Sequence, residues 1–260
     1  MFGMTTSSTR DDWDRHWQEY NETAEQNPAQ NYRRDLILSL LGIPGSGDGV
    51  RIIDIGSGQG DMVAAIHARF PAAEVCGLEL SQSGVDISRR KVPGARFVRR
   101  NLLEHDDPHE EERNWATHAV CSEVIEHLDD PGLLLQNARA YMQQGCRLVL
   151  TAPGGPMSAF DRHIGHRKHW KAPDIEVLLR SAGYKPENVT GVGFPFFNLY
   201  RCLVILRGKK LIDDVSTGTK ENDNGPASAR AAMAVFRQLI RPNLNSSRWG
   251  WQMVARARVC

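Results

Sequence analysis

The 260-residue chain carries 32 Lys plus Arg against 31 Asp plus Glu, a formal net charge of +1, with 41% hydrophobic and 24% charged residues. This composition belongs to a soluble globular chain and excludes disorder throughout, collagen and coiled coil; the balanced charge argues against nucleic acid or a membrane as partner. The cysteines, Cys76, Cys121, Cys146, Cys202 and Cys260, are odd in number and form no CxxC pair, which argues against a disulfide framework or thiolate zinc site and for a reducing, cytoplasmic setting.

Residues 1–12 are rich in Ser and Thr without an apolar signal region and read as a flexible leader. Residues 11–42 predict two helices broken near Asn27 and Pro28: Trp13, Trp17 and Tyr20, then Leu36, Ile37, Leu40 and Leu41, fall at helical spacing before Gly42 and Pro44. After a turn over 44–49 comes a strand at 50–55, a glycine-rich turn and a helix at 62–70. The alternation continues with a strand at 74–80, a helix at 82–91, strands at 95–100 and 117–121, a helix at 131–143, a strand at 147–151, a helix at 172–182 and a strand at 189–192. Strands alternating with helices predict an α/β fold with a mostly parallel sheet covered on both faces.

The last third breaks that rhythm. A helix over 199–212, an aperiodic polar stretch over 213–228 that reads as a mobile loop, and a helix over 229–240 precede a strand at 249–259. In that strand Trp249, Trp251, Met253, Ala255, Ala257 and Val259 alternate as one buried face requires. The apolar run 199–206 is broken by Arg201, and no segment has the length of a membrane span. The predicted organisation is an N-terminal helical cap (1–48), a core (49–193), a helical cap insertion (194–248) and a final core strand (249–260).

The most informative segment is Ile52-Ile53-Asp54-Ile55-Gly56-Ser57-Gly58-Gln59-Gly60-Asp61. Glycines at alternate positions after a buried strand allow close approach of backbone to a ligand, and the following helix N-terminus favours a carboxylate or phosphate. A dinucleotide fingerprint would need glycine where Asp61 stands, which argues against a nicotinamide oxidoreductase. Glu79, followed by Leu80, ends the second strand, where a carboxylate can accept from both hydroxyls of a ribose. Asn101 and Leu102 end the third strand, where an amide and an apolar neighbour can hold an adenine ring or simply serve the loop.

In this order the segments resemble the class I S-adenosylmethionine (SAM)-dependent methyltransferases, over about residues 35–193 plus the last strand. The resemblance implies a Rossmann-like seven-stranded sheet whose last strand is antiparallel, with SAM as cofactor. It assigns Asp54, Gly56, Gly58 and Gly60 to the methionine part and Glu79 to the ribose, and Ser57, Leu80, Asn101, Leu102 and Glu123 join them as expected cofactor-binding residues. Family members often carry Asp where this chain has Asn101.

After the fourth strand comes Cys121-Ser122-Glu123-Val124-Ile125-Glu126-His127-Leu128. In a helical turn Glu123, Glu126 and His127 would share one face, a mixed oxygen and nitrogen donor set suited to Mg²⁺, Mn²⁺ or Zn²⁺. This segment is similar to the ubiquinone-pathway O-methyltransferases and the small-RNA 2′-O-methyltransferases, in which the same pattern holds a divalent metal. A second cluster, residues 161–170, follows the fifth strand. His166 first and His163 second are its candidates for a further metal ligand or a general base beside His127, against the simpler reading of a solvated basic loop. Phe194, Phe196 and Phe197 either line an apolar acceptor pocket or pack the cap onto the core, and the arginines and lysine of 89–100 read as a solvated face.

The expected function is SAM-dependent methylation of a small-molecule acceptor, at oxygen, in secondary-metabolite or sugar biosynthesis. The alternatives are a metal-dependent 2′-O-methyltransferase of RNA ends and an inactive SAM-binding partner subunit. The oligomeric state is not legible in the chain.

Overall fold

The structure is a computed structural model that describes residues 13–14, 28–104, 108–206, 236, 238–239 and 243–260. The expected leader, the helix over 229–240 in its greater part and the polar stretch over 213–228 lie outside the described residues.

Helix α1 (Pro28–Leu41) starts on a proline, whose missing N–H costs nothing in a first turn, and stops at Gly42 with φ 62°. The core then alternates β1 (Arg51–Ile55), α2 (Asp61–Arg69), β2 (Glu74–Glu79), α3 (Gln82–Lys91), β3 (Arg96–Arg99), β4 (Ala116–Ser122), α4 (Pro131–Ala138) and β5 (Met142–Pro153). After it come α5 (Ala159–His163), α6 (Ala172–Ser181), β6 (Tyr184–Val192), α7 (Phe196–Leu206) and β7 (Gln252–Val259). The seven strands run in the order β3-β2-β1-β4-β5-β7-β6. β7 is antiparallel to both β5 and β6, as expected, and the β1–β5 neighbours are parallel.

Because strand side chains alternate, Ile53, Ile55, Leu148 and Leu150 face a core closed by Leu134, Leu135, Ile175 and Leu179 of α4 and α6. Ile52 and Val149 face the other core, closed by Ile37 and Leu41 of α1, Val63 and Ile66 of α2, and Val85 of α3. Each such side chain, fully buried, contributes about 1.5–3 kcal/mol. The order in which strands are added reverses between the parallel β1 and β4, so a crevice opens at the carboxyl ends of these strands, the place where open α/β sheets hold ligands. Among the described residues no helix is long and apolar enough to cross a membrane.

Several elements differ from expectation. β7 begins at Gln252, so Trp251 and Trp249, the latter 55% exposed, stand outside the alternating face expected of them. The helix begun at Pro131 ends at Ala138, and β5 already starts at Met142, which pairs with Ala116; sheet pairing outweighs the helical pattern of 139–143. β6 starts five residues before the expected 189. It is an edge strand, so its outer half is polar, and Pro186 is tolerated there beside a register shift. The short α5 is nucleated by a capping box between Ser158 and Asp161. The basic run of 89–100 is largely bonded: Lys91 to Asp61, Arg96 and Arg100 to the buried Glu112, and Arg89 to the Phe97 carbonyl.

Candidate active site

The glycine turn leaves β1 with Gly56, Gly58 and Gly60 at φ 69°, 54° and 82°, the left-handed region that other residues avoid. A Cβ on Gly56 would stand 2.6 Å from Val124 Cγ2, so the turn lies directly against the segment after β4. The Gly56 and Ser57 amides donate to the Leu78 carbonyl at 2.8 and 3.0 Å, fastening the turn to β2. Glu79, at the tip of β2, accepts from the Gly58 amide at 2.7 Å and the Ser81 amide at 2.9 Å. One carboxylate thus holds both walls of the crevice.

Several buried polar atoms here find no hydrogen-bond partner among the described residues: Asp54 Oδ2, Ser57 Oγ and Gln59 Oε1. Such atoms are costly unless a ligand engages them. Burial, and then the charge of Glu79, push the Asp54 carboxyl up to about 8. The turn therefore combines exposed backbone geometry with unfilled polar capacity, which fits the amino-acid end of SAM. Leu80 and Asn101 line a cavity of about 380 Å³ together with Arg99, Arg100 and Glu104. The Asn101 side chain accepts from the Leu103 amide at 3.1 Å, and Leu102 is packed in the core. Asp14 reaches this side too, accepting from Ser81 Oγ at 2.6 Å and the Ser83 amide at 3.0 Å.

The acceptor-side rim is built from separate pieces of chain. A short turn, Ile125–His127, carries Glu126 and His127, and the loop after α5 brings in His166. A ligand atom from each of Glu126, His127 and His166 lies within 4.8 Å of the others. Glu126 is wholly buried, neither of its oxygens has a hydrogen-bond partner among the described residues, and burial followed by the Glu123 charge raises its carboxyl well above the usual range. His166 is pushed down to about 4 by burial and is neutral at physiological pH. Its ring meets His127 edge to face with centroids 4.7 Å apart, and Trp13 meets His127 the same way at 4.9 Å. A second set, Asp161, His166 and His169, also gathers within 4.8 Å.

Glu123 does not share the helical face with Glu126 and His127. It stands at φ 57°, so the helical turn begins after it. Its carboxylate is held by Arg33 Nη2 at 3.0 Å, Gln252 Nε2 at 2.9 Å and Thr151 Oγ1 at 3.1 Å, which joins α1, β5 and β7 behind the crevice. His163 is exposed at the end of α5, away from the gathered residues. Phe197 packs on Tyr32 and Phe194 on Trp249, so these two rings dock α7 onto the body.

Sequence reasoning passed over the partners of this rim. Asp161 is buried and paired with Arg201 of α7, and although burial opposes it, Arg201 and the Ser158 bonds hold its carboxyl down at about 2. Two signals were present: the Ser158-x-x-Asp161 spacing of a capping box, and a single charge, Arg201, inside an apolar helix.

A glycine turn at a sheet's switch point, with an acid closing the neighbouring strand, defines a nucleotide-type cleft of the class I methyltransferase kind. The family model described as "Methyltransferase domain" matches residues 20–189, and the chain belongs to this family, the class I SAM-dependent methyltransferases. Among curated proteins it is 28% identical over 159 residues to an uncharacterized 37.1 kDa transposon protein of Streptomyces fradiae, spanning 60% of this chain and only 41% of that one. Among solved structures it is similar to the cyclase SpnF (TM-score 0.60, 16% identity, 88% of this chain and 81% of that one). It is also similar to Haemonchus contortus phosphoethanolamine N-methyltransferase 2 in complex with SAM (TM-score 0.59, 16% identity, 98% and 58%). A third is Streptomyces coelicolor geranyl diphosphate C-methyltransferase, solved with Mg²⁺ (TM-score 0.54, 16% identity, 88% and 80%). At these identities the likeness concerns the fold, and the differing reactions named for the three leave the acceptor open.

Proposed function

We propose that the protein transfers the methyl group of SAM to an oxygen of a small molecule, in the biosynthesis of a secondary metabolite or modified sugar, in the cytoplasm. The observation that carries this reading is the meeting of Glu126, His127 and His166 on the rim that Val124 presses against the glycine turn. A buried carboxyl with both oxygens unfilled, next to two imidazoles, is a donor set for Mg²⁺, Mn²⁺ or Zn²⁺. These three residues would hold the ion, and its contribution would be to lower the pKa of an acceptor hydroxyl.

SAM, held by Asp54, Gly56, Ser57, Gly58, Gly60 and Glu79, with Leu80, Asn101 and Leu102 at its adenine, supplies an electrophilic methyl on a sulfonium. The chain's remaining work is alignment and proton handling. Where no ion is held, His166, neutral at physiological pH, is the base that takes the acceptor's proton on a ring nitrogen. Glu123, locked by Arg33, Gln252 and Thr151, fixes the entrance to the Ile125–His127 turn. The caps of 1–48 and 194–248 shape the acceptor site, consistent with Trp13 on His127 and Arg201 on Asp161.

The test is methyl transfer from labelled SAM to a panel of hydroxylated small molecules, repeated after dialysis against a strong chelator and with Mg²⁺, Mn²⁺ or Zn²⁺ restored. Labelled small-molecule product, lost on chelation and rescued by one cation, is expected. Full activity in demonstrably metal-free protein eliminates the ion and leaves His166 as base. The Glu-x-x-Glu-His segment supports a second reading, 2′-O-methylation of RNA ends. Label appearing only on short RNAs would replace the first reading by it, and SAM binding without transfer to any acceptor would leave a partner subunit.

A further inference from the structure

Behind His166 the rim continues as a line of hydrogen bonds. His166 Nδ1 lies 3.2 Å from His169 Nε2, and His169 Nδ1 lies 3.1 Å from the Gly155 carbonyl oxygen. We infer that His169 is a positioning residue that sets the tautomer of His166, so that the Gly155 carbonyl, through His169, leaves the lone pair of His166 on Nε2 for the acceptor side. The inference rests on the assignment of His166 to the acceptor site made above and adds which of its nitrogens works there and what enforces it.

The direction of the line follows from what each atom can do. A carbonyl oxygen only accepts, so its contact requires a proton on His169 Nδ1. A neutral imidazole has one N–H, so His169 Nε2 is left as an acceptor. The atom facing it, His166 Nδ1, therefore donates, and the one proton of a neutral His166 is used there. An imidazole is ordinarily neutral above about pH 7, and the order of donors and acceptors requires nothing more.

The neighbouring carboxylate does not reverse the order. Asp161 Oδ2 is 3.7 Å from His169 Nε2, beyond hydrogen-bonding distance. Its oxygens are already engaged by Arg201 Nη2 at 3.1 and 2.9 Å and by the Ser158 amide at 2.7 Å. Arg201 thus neutralises the nearer acid that could draw a proton onto His169 Nε2, and the more distant Glu123 is paired with Arg33. The other groups about His166 include the His127 ring, the Glu126 carboxyl and the positive charge of Arg33, which opposes a second proton on the ring. A lone pair held on Nε2 suits either use of His166, as base or as ligand, since a ligand imidazole is fixed by the hydrogen bond its other nitrogen makes.

Long-range proton–nitrogen NMR of the histidine rings, in metal-free protein without SAM or acceptor, reads the tautomer directly and needs no activity. His166 is expected to carry its proton on Nδ1 and His169 likewise. In His169→Ala the His166 proton should move to Nε2; in His169→Gln, whose amide can accept from His166 and donate to Gly155, it should stay on Nδ1. Methyl transfer should fall about 10- to 100-fold in the Ala variant, the usual cost of losing a group that orients a functional histidine, and recover in the Gln variant, with SAM affinity unchanged in both. A proton on His166 Nε2 in the unaltered protein overturns the inference, as does a tautomer that ignores His169→Ala. Titration with Zn²⁺ that shifts His166 Nδ1 and His169 Nε2 together also overturns it, because the pair would then be a metal site closed by Asp161. The expected tautomers with no methyl transfer to any acceptor leave the relay standing and remove the proposed function instead.

Discussion

The cofactor half of the cleft is made by residues 52–61 and the tips of two neighbouring strands, whereas the acceptor half draws on residues 123–127, 158–169, 201 and 252. In the first half the backbone itself is the surface offered to a ligand, and the turn is tied down by Glu79, which accepts from the Gly58 amide, and by Ser88 Oγ, which donates to the Gly58 carbonyl. In the second half the surface is side chains, of which Glu123 and Asp161 are held by partners from distant elements. The contrast teaches where each half is vulnerable: substitutions in the turn should act on SAM affinity, and substitutions on the rim should act on turnover.

The largest expected effect is on the turn. Gly56→Ala places a Cβ 2.6 Å from Val124 at a φ of 69°, and SAM affinity by calorimetry should drop about 100-fold or more with the circular dichroism spectrum retained. Retained affinity would show that the turn and the rim are not in contact when SAM is bound. On the other side, His166→Ala should lower methyl transfer about 100-fold, the ordinary worth of a group that handles the proton, and leave SAM affinity alone. Equal losses in both quantities would dissolve the division between the halves.

Glu79→Ala should weaken SAM binding by about 1.5–3 kcal/mol, roughly 10- to 100-fold, since it removes charged acceptors and frees the Gly58 and Ser81 amides together. Proton linkage gives a sharper probe of the same half. With its pKa raised to about 8, Asp54 is protonated in the free protein at neutral pH, and a ligand bearing an ammonium favours the ionised form. SAM affinity should therefore rise with pH, by at most about tenfold per unit, and level off above about 8. Asp54→Asn should flatten the profile. The same raised pKa has a stability sign: the folded form holds this proton more tightly than the unfolded chain, so stability falls as pH climbs through about 8. The smallest effect belongs to Asp14→Ala, which removes contacts to Ser81 and Ser83 near the surface; a two- to fivefold loss of SAM affinity, about 0.5–1 kcal/mol, is expected.

The same contrast explains what could be read in the chain. The glycine turn is contiguous and its glycines answer a backbone requirement, while the period-two pattern of 249–259 announced a closing strand because Met253, Ala255, Ala257 and Val259 share one core; its antiparallel direction followed from the family resemblance alone. The edge strand β6 was read short because only its inner half, from Val189, is apolar enough to show, and α5 was missed because a capping box on a five-residue helix leaves no periodicity. At the rim the Glu123, Glu126 and His127 spacing was legible, but the turn that separates Glu123 from the others depends on a left-handed backbone enforced by Arg33, Thr151 and Gln252. No local pattern encodes partners so far apart along the chain. Likewise His166 stood out as a candidate while His169, its hydrogen-bond partner, looked like one more histidine in a basic loop.

Glu123 has a consequence for anyone engineering this protein. A non-glycine residue held at φ 57° stores about 1–2 kcal/mol of backbone strain, which glycine would release. Its side chain offsets that cost by clamping three elements behind the cleft. Glu123→Gly therefore does two opposed things to the fold at once: it releases the strain and removes the partner of the partly buried Arg33 guanidinium. Anyone relieving that strain must first supply Arg33 with another acceptor, so a stabilising design begins at Arg33 and not at the left-handed residue itself.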